Sequence, residues 1–355
     1  MVKKLVLPLA VIVIAVCCGA ALHAQSCIVP VSCGGYSLYY AACLPALPAG
    51  AYDCFTVGPF SAECSLNICP PPCPYCDAQG ASPIHLSTGD TYITETDVRV
   101  PGLGGGLTLS RTWHSVPFTS RSTQGMFGFE WTSTYEESIF VDTGNFVTLL
   151  RGDGSPWWFR FNTWDGNGNP TFSVGAPASQ TAQLSEIVMQ AQPNWTLAFQ
   201  NGETRVYDYF SGKLLSITDR NGNTTTLTYD ASYRLATVAD AASHHLYFSY
   251  ATPTSYLVTS VTSDFGVSLQ YTYDGLGHLA QVTEPDLTTL SFQFDSSFRI
   301  TSVLDSNGKV LESHTYNSCG QGLTSSRALG AEAITVQYPL PCAFGVPAAE
   351  VYVSQ

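Results

Sequence analysis

Charge is what this chain has least of. Lys, Arg, Asp and Glu make up 12% of its 355 residues, about half the usual share of ~25%. Basic residues are scarcest, with 14 against 27 acidic ones and a net charge of −13. A surface so short of Lys and Arg excludes nucleic acid or an anionic membrane as partner, since both are held through basic patches. Long apolar runs are absent beyond the first residues, so no later segment is read as a membrane span. No apolar series keeps a 3.6-residue period, which argues against helices. No G-x-S-x-G elbow, H-E-x-x-H helix or phosphate loop occurs, and no cofactor is expected.

What is present begins with an export signal. Lys3 and Lys4 precede an apolar run from Leu5 to Val16, followed by small residues. That is the layout of a secretory signal peptide, with cleavage expected after Ala24. Cys27 in AQSC matches a lipidation site poorly. The mature chain is expected to be secreted or held at the cell surface. Losing two lysines takes its net charge to −15.

The cysteines agree with export. Of twelve, Cys17 and Cys18 leave with the signal, eight crowd between Cys27 and Cys76, and Cys319 and Cys342 stand far downstream. Dense, even-numbered cysteines in an exported chain read as disulfides. Cys69, Cys73 and Cys76 also have the C-x3-C-x2-C spacing of an iron–sulfur site. Cluster thiolates need a reducing compartment, so bridges are expected there, with zinc the main alternative. Cys319 and Cys342 are expected to pair with each other.

Four regions follow residues 1–24: a cysteine-rich segment at 25–80, a β domain at 81–200, a repeat region at 201–340 and a tail at 341–355. The repeat is clearest in its aromatics. Tyr229, Tyr250, Tyr273, Phe294, Tyr316 and Tyr338 recur every 21 to 23 residues. An apolar pair leads each unit, as in Leu214 with Ile217 or Leu235 with Val238, always three apart. Such a period marks a repeat architecture. Each unit reads as a hairpin: Leu214 to Thr218, an Asn221-Gly222 turn, then Thr224 to Tyr229 with Thr225, Leu227 and Tyr229 on one face. Stacked hairpins make one curved, continuous antiparallel sheet, so the fold class is all-β, and the aromatic ladder is expected to pack.

The repeated pattern, carried by Gly212, Leu214, Ile217, Asp219, Gly222, Tyr229 and Asp230, resembles the YD repeats of Rhs proteins and teneurin-like surface proteins. The unit ending Tyr338-Pro339 is a poor match. Upstream, Pro83, Thr88-Gly89, Asp97, Pro101 to Gly105, Leu109, Arg111 and Ser115 resemble the domain of unknown function that precedes such repeats. The resemblance implies an exported β-rich shell. In toxin members, many repeats enclose a C-terminal toxin, and a core with an Asp-Pro-x-Gly motif releases it by self-cleavage. This chain contains no Asp-Pro dipeptide and only five or six units. It is expected to be a structural or interaction module and not an enzyme. The alternatives are the N-terminal chassis of an Rhs toxin whose core and toxin are missing, and a secreted polysaccharide-acting enzyme.

Single residues give weaker pointers, and no catalytic, cofactor or metal residue is assigned. Glu130, Asp142, Asp153 and Asp165 are candidate carboxylates, while Glu136-Glu137 reads as a solvated strand end. Asp165-Gly166-Asn167-Gly168-Asn169 looks somewhat like a calcium loop, but a plain Gly/Asn turn explains it better. His244 and His245 point to opposite faces, and His85 and His114 have no visible partners. Tryptophans 113, 131, 157, 158, 164 and 195 cluster ahead of the repeats. With the periodic Tyr, Asn and Thr they leave cell-surface carbohydrate, or another surface protein, as the expected partner.

Overall fold

A computed structural model describes residues 25–33, 36–44, 84–85, 88–116, 124–141, 146–176, 180–188, 191–327, 331–338 and 352–354. The signal peptide, the side chains of the cysteine-rich segment, Asp142 and Cys342 lie outside the described residues. The chain divides into two compact units, Met1–Pro71 and Pro72–Gln355. The first contains an antiparallel hairpin of Gln25–Cys33 with Tyr36–Leu44.

The second unit is all-β. Its regular elements are strands, apart from one 3-10 turn at Leu103–Gly105. A small sheet comes first, with Leu107–His114 between Tyr92–Val100 and Trp131–Ser133. A long antiparallel sheet then runs from Ser138–Val141 to Tyr352–Ser354, each strand beside its sequence neighbours. Short polar turns explain this meander, since antiparallel neighbours need only a tight connection.

The long sheet meets itself. Ser138 bridges Lys213, and the Ile139 N–H donates to Gly212 O at 2.8 Å. Eight strands, from Ser138–Val141 to Leu214–Thr218, thus close a ring, and the sheet continues past its own start. The backbone bonds of this closure lie at Gly212 and Lys213, just ahead of Leu214–Thr218.

Within the repeats, inward positions are apolar and outward ones polar. In Thr224–Tyr229, Thr225 and Leu227 are buried while Thr226 and Thr228 are exposed. His245–Tyr250 repeats this pattern, with Leu246 and Phe248 inside. The three-residue spacing of Leu235 and Val238 has a cause in the backbone. Tyr229 pairs Leu235 while Thr228 pairs Thr237, so a bulge skips Ala236 and returns both apolar residues to the inner face. The same register shift precedes Tyr250, Tyr273, Phe294 and Tyr316.

The ladder aromatics are tied as well as packed. The Tyr229 hydroxyl donates to Leu214 O at 2.7 Å, Tyr250 to Leu235 O at 2.8 Å, Tyr273 to Val258 O at 2.7 Å and Tyr316 to Ile300 O at 2.5 Å. Each stitches the end of a unit to its beginning. Tyr338 does the same to Gly322 O at 3.0 Å, so the sixth unit, a poor match by sequence, keeps the contact that defines the others.

The expected Asn-Gly turns are three-residue loops. Asp219 N–H donates to Asn223 O at 3.0 Å and Gly222 N–H to Asp219 O at 3.1 Å, enclosing three residues. Only the third, Gly222, has positive φ, at 86°. This is the type I turn with a left-handed bulge residue. The same two bonds recur at Asp230, Asp240, Asp274, Asp295 and Asp305. Tyr233, Ser243, Leu287 and Phe298 hold the left-handed position where glycine is absent. The Tyr233, Ser243 and Phe298 turns share with the glycine turns an opening aspartate whose Oδ1 accepts two turn N–H groups, whereas the Leu287 turn opens on Glu284. Asp219 Oδ1 accepts the N–H groups of Asn221 at 2.8 Å and Asn223 at 2.9 Å. Asp219 and Asp230 are thus folding residues at opposite ends of one strand. Asn317 replaces the acid with an amide oxygen that accepts the same two bonds.

The small sheet packs on the inner face of the long one. Phe127 lies 4.8 Å from Tyr271, and Trp131 lies edge-on to Phe292 at 5.2 Å. One apolar core includes Leu107, Leu109, Trp113, Phe127, Leu197 and Leu269. Residues 88–116 and 124–137 therefore fill interior space that the sheet would otherwise leave open.

Candidate functional site: an aromatic cavity beside an enclosed carboxylate

The interior also contains ionisable groups, and several of them are held by partners. Arg111 is fully buried, with Nε 2.5 Å and Nη2 2.7 Å from the Asp97 carboxylate. The Tyr271 hydroxyl donates to Asp97 at 2.7 Å, and the guanidinium lies 4.8 Å from the Trp131 ring centre. His114 places Nδ1 2.8 Å from Asp90 Oδ2 and Nε2 2.8 Å from Asp153 O. Its partners are thus 24 and 39 residues away, which is why none was visible locally. His85 stacks on Tyr92 at 4.5 Å, and burial pushes its pKa down to about 4.

Glu136 and Glu137 do not solvate a strand end. Glu137 is buried, with Arg205 Nη1 2.6 Å and Arg151 Nε 3.2 Å away, and it accepts the Tyr207 hydroxyl. It is the anion of a satisfied cluster inside the ring. Glu136 is different. The residue as a whole is half-buried, while its carboxylate is enclosed. Oε1 accepts the Met126 N–H at 2.5 Å, and Oε2 has no hydrogen-bond partner. Burial pushes this carboxyl up to about 7, against the Met126 N–H, the Ser133 hydroxyl and Lys213, which favour the anion.

Glu136 lines a cavity of about 350 Å³ between the inner sheet and the first repeats. Trp131 and Gln124 contribute from the inner side, and Lys213, Tyr233 and Tyr256 from the turns. Lys213 follows the Gly212 contact that closes the ring, which fixes its backbone. Its ammonium donates to Tyr233 O and lies 5.2 Å from the Tyr229 ring centre. Burial holds its pKa below the usual lysine value, with Glu136 and Asp230 acting the other way. Tyr229 and Tyr250 also line the cavity, with hydroxyls already committed to carbonyls. Tyr233 and Tyr256 are open, 68% and 61% exposed. The wall therefore offers rings, an amide, an ammonium and a carboxyl group, with opposite charges close together.

The other flagged residues are structural or stand apart. Asp153 Oδ1 accepts the Ser155 N–H at 2.9 Å and hydroxyl at 2.6 Å in a turn. Asp165 Oδ1 accepts the N–H groups of Asn167 and Asn169, both at 2.8 Å, so the loop is the plain turn. Glu130 has its pKa raised, mainly by burial. His244 pairs with Asp240 at 2.9 Å and His245 with Asp264 at 2.8 Å. Among the described residues no three His, Cys, Asp or Glu groups are placed to hold a metal ion. Trp113, Trp131, Trp157 and Trp195 are core, whereas Trp164 is 62% exposed. Sequence reasoning missed Lys213, Tyr233 and Tyr256. Each sits in a turn, and nothing local links a turn to a glutamate about a hundred residues away.

Comparison with known proteins follows the same division. The family model of DUF6531, a domain of unknown function, matches residues 81–159, and that described as RHS Repeat matches 211–244 and 257–289. The tRNA nuclease WapA of Bacillus subtilis is 28% identical over 149 residues, which is 42% of this chain and 6% of that protein. The tRNA3(Ser)-specific nuclease WapA of Bacillus spizizenii matches over the same shares at 28% identity. The chain thus corresponds to a small fraction of the length of these relatives. Among solved structures, the crystal structure of TcdB2-TccC3-Cdc42 aligns with 74% of this chain and 17% of that one, at 10% identity and TM-score 0.27. The Photorhabdus luminescens Tc holotoxin pore aligns with 72% and 21%, at 11% identity and TM-score 0.20.

Proposed function

The chain belongs to the Rhs/YD-repeat family, with the N-terminal domain of unknown function ahead of its repeats, and from this we propose that it serves as an exported structural and interaction module of the cell surface. The carrying observation is the filled interior. Residues 88–116 and 124–137 pack against the inner face of the sheet, which supports reading this part of the shell as a solid body with outward faces. Arg111 with Asp97, and Glu137 with Arg151 and Arg205, are buried charges held by one another, as suits groups that build a core. Export is supported by the amino-terminal layout of Lys3, Lys4 and the apolar run, and by the dense cysteines. We include in the proposal a bridge between Cys319 and Cys342 and bridges among Cys27 to Cys76.

The test is fractionation of cells producing the full chain with a carboxy-terminal tag. Surface or secreted protein, digestible by protease added to intact cells and carrying oxidised cysteines, is the expected result. Reduced protein confined to the cytoplasm would overturn the proposal.

A second reading, the front of a toxin chassis, is favoured by one observation: the similar WapA proteins are named as tRNA nucleases, and the match covers 6% of their length. Reading the DNA after the codon for Gln355 separates the two. A continuing frame with more repeats and an Asp-Pro-x-Gly core supports the chassis.

A further inference from the structure

We propose that a strip of aromatic side chains at one end of the closed ring docks a basic segment of a partner protein through its arginine side chains. This rests on the reading of the chain as an interaction module and names the chemistry of its partner. The strip is continuous. Trp164 lies edge-on to Phe161 at 5.8 Å between ring centres, and Phe161 lies edge-on to Phe172 at 6.1 Å. Phe172 is 5.8 Å from Trp195, Trp195 stacks on Tyr209 at 6.1 Å, and Tyr209 meets Phe210 edge-on at 5.2 Å. Strand register brings them together. Phe161 pairs with Phe172, and Trp164, Asn194 and Asp208 are terminal residues of their strands on one rim. Phe172 and Trp195 are buried, whereas the two ends of the strip are open, with Trp164 62% and Phe210 86% exposed.

Elsewhere the chain covers such rings with its own cations. Arg151 lies over Trp157 at 4.7 Å, Arg234 over Tyr250 at 4.2 Å and Arg299 over Tyr316 at 5.1 Å. Among the described residues no Lys or Arg lies over any of the six rings of the strip. Residues 161–204 contain no Lys, Arg or His at all. A carboxylate stands there instead. Glu186 Oε1 accepts the Tyr209 hydroxyl at 2.9 Å, and among the described residues Glu186 enters no ion pair. The strip thus holds the rings and the anion of a cation–π arrangement whose cation the chain does not supply.

The geometry favours arginine on an extended segment. A guanidinium stacks flat on a ring and can fork onto a carboxylate, whereas an ammonium is a compact, strongly hydrated point charge. Same-face side chains of an extended chain recur about every 7 Å, close to the 5.2 to 6.1 Å steps between neighbouring rings. The net charge of −13 draws a basic partner in from a distance. The rings brace one another, so docking orders few side chains and little affinity is lost to ordering them.

Titration calorimetry on the full chain at physiological salt tests the strip. Hexa-arginine is the probe, and hexacitrulline, which keeps the shape and loses the charge, is its neutral counterpart. Saturable binding of hexa-arginine is expected, tighter than that of hexacitrulline by about tenfold or more. Trp164→Ala and Phe210→Ala, both at exposed residues, should each weaken it about fivefold and leave the unfolding midpoint in place. Glu186→Gln should weaken it too, and flatten its dependence on salt. Equal binding of the two peptides overturns the proposal. So does hexa-arginine binding that both ring variants leave unchanged, since attraction to the overall negative charge then suffices. Retention on phosphatidylcholine vesicles without peptide binding assigns the rings to a membrane and overturns it as well. Cell fractionation separates this from the broader reading. Surface protein that ignores hexa-arginine keeps the module and overturns the strip, while cytoplasmic protein that binds it through Trp164 and Phe210 supports the strip and overturns the module.

Discussion

The Ile139 N–H donates to Gly212 O at 2.8 Å, joining the first strand of the long sheet to a turn about seventy residues later. Gly212 has φ of +69°, and a Cβ there would lie 1.8 Å from Ile139 O. Gly212→Ala should therefore cost about 3 kcal/mol or more, combining backbone strain with a clash against main chain. Gly222→Ala is the control. Its φ is +86° but a Cβ meets nothing within 4 Å, so about 1 kcal/mol is expected. Denaturant midpoints of the two variants decide the matter; equal losses would show that the contact is unimportant.

Phe294 is the ladder position without a hydroxyl. Elsewhere the hydroxyl bonds to the leading residue of its own unit, as Tyr273 does to Val258 O at 2.7 Å. Phe294→Tyr should gain the matching bond to Leu279 O and stabilise the chain by about 0.5–1 kcal/mol. Tyr273→Phe should lose a similar amount. A destabilised Phe294→Tyr protein would mean that the stitch does not transfer between units.

Asp97 is the sole carboxylate bonded to the buried Arg111 guanidinium among the described residues. Asp97→Ala should destabilise by about 3–5 kcal/mol, because it leaves a cation enclosed without its counter-charge. Replacing Arg111 and Asp97 together by Met and Leu should cost clearly less, since no charge is then stranded. Thermal unfolding of both variants tests the order.

Stability should also depend on pH through Glu136. Its pKa is about 7 in the folded chain, against 4.5 for an ordinary glutamate. Between those values the folded chain binds more protons than the unfolded one, so stability falls as pH rises. The turn aspartates act in the opposite sense at lower pH. Hydrogen bonding holds Asp219 and Asp264 below the usual range, so their contribution is present above about pH 4 and is lost as pH falls through the folded values. His85, lowered by burial to about 4, makes stability rise with pH from about 4 toward 6.5 and partly masks Glu136. Subtracting the Glu136→Gln profile from that of the parent isolates one group. The difference should decline between pH 4.5 and 7, and a flat difference would refute the enclosed carboxyl.

The repeat architecture was legible because its signal is regional. A period of 21 to 23 residues with Tyr229, Tyr250 and Tyr273 in step needs no distant contact to be seen. The turn geometry was half legible. Asn221-Gly222 announced a turn, while Tyr233 and Phe298 concealed the same one behind residues that seldom adopt positive φ. The cavity was not legible. Glu136 and Lys213 are brought together by closure of the ring, a three-dimensional event with no local pattern. The same holds for His114 and Asp90, whose proximity depends on strand register.

The inner sheet sets an order of assembly. Each Tyr stitch spans 15 or 16 residues, a short loop that closes at little entropic cost. The Tyr271 hydroxyl reaches Asp97 across 174 residues. Contacts of such long separation form slowly, so the hairpins can zip in sequence well before that pair meets. The inner sheet, made first, must keep Trp113, Phe127 and Trp131 uncovered until the later hairpins arrive. In this interval the chain is most open to aggregation and to holding by a chaperone, and its length is set by how soon the strand carrying Tyr271 is delivered.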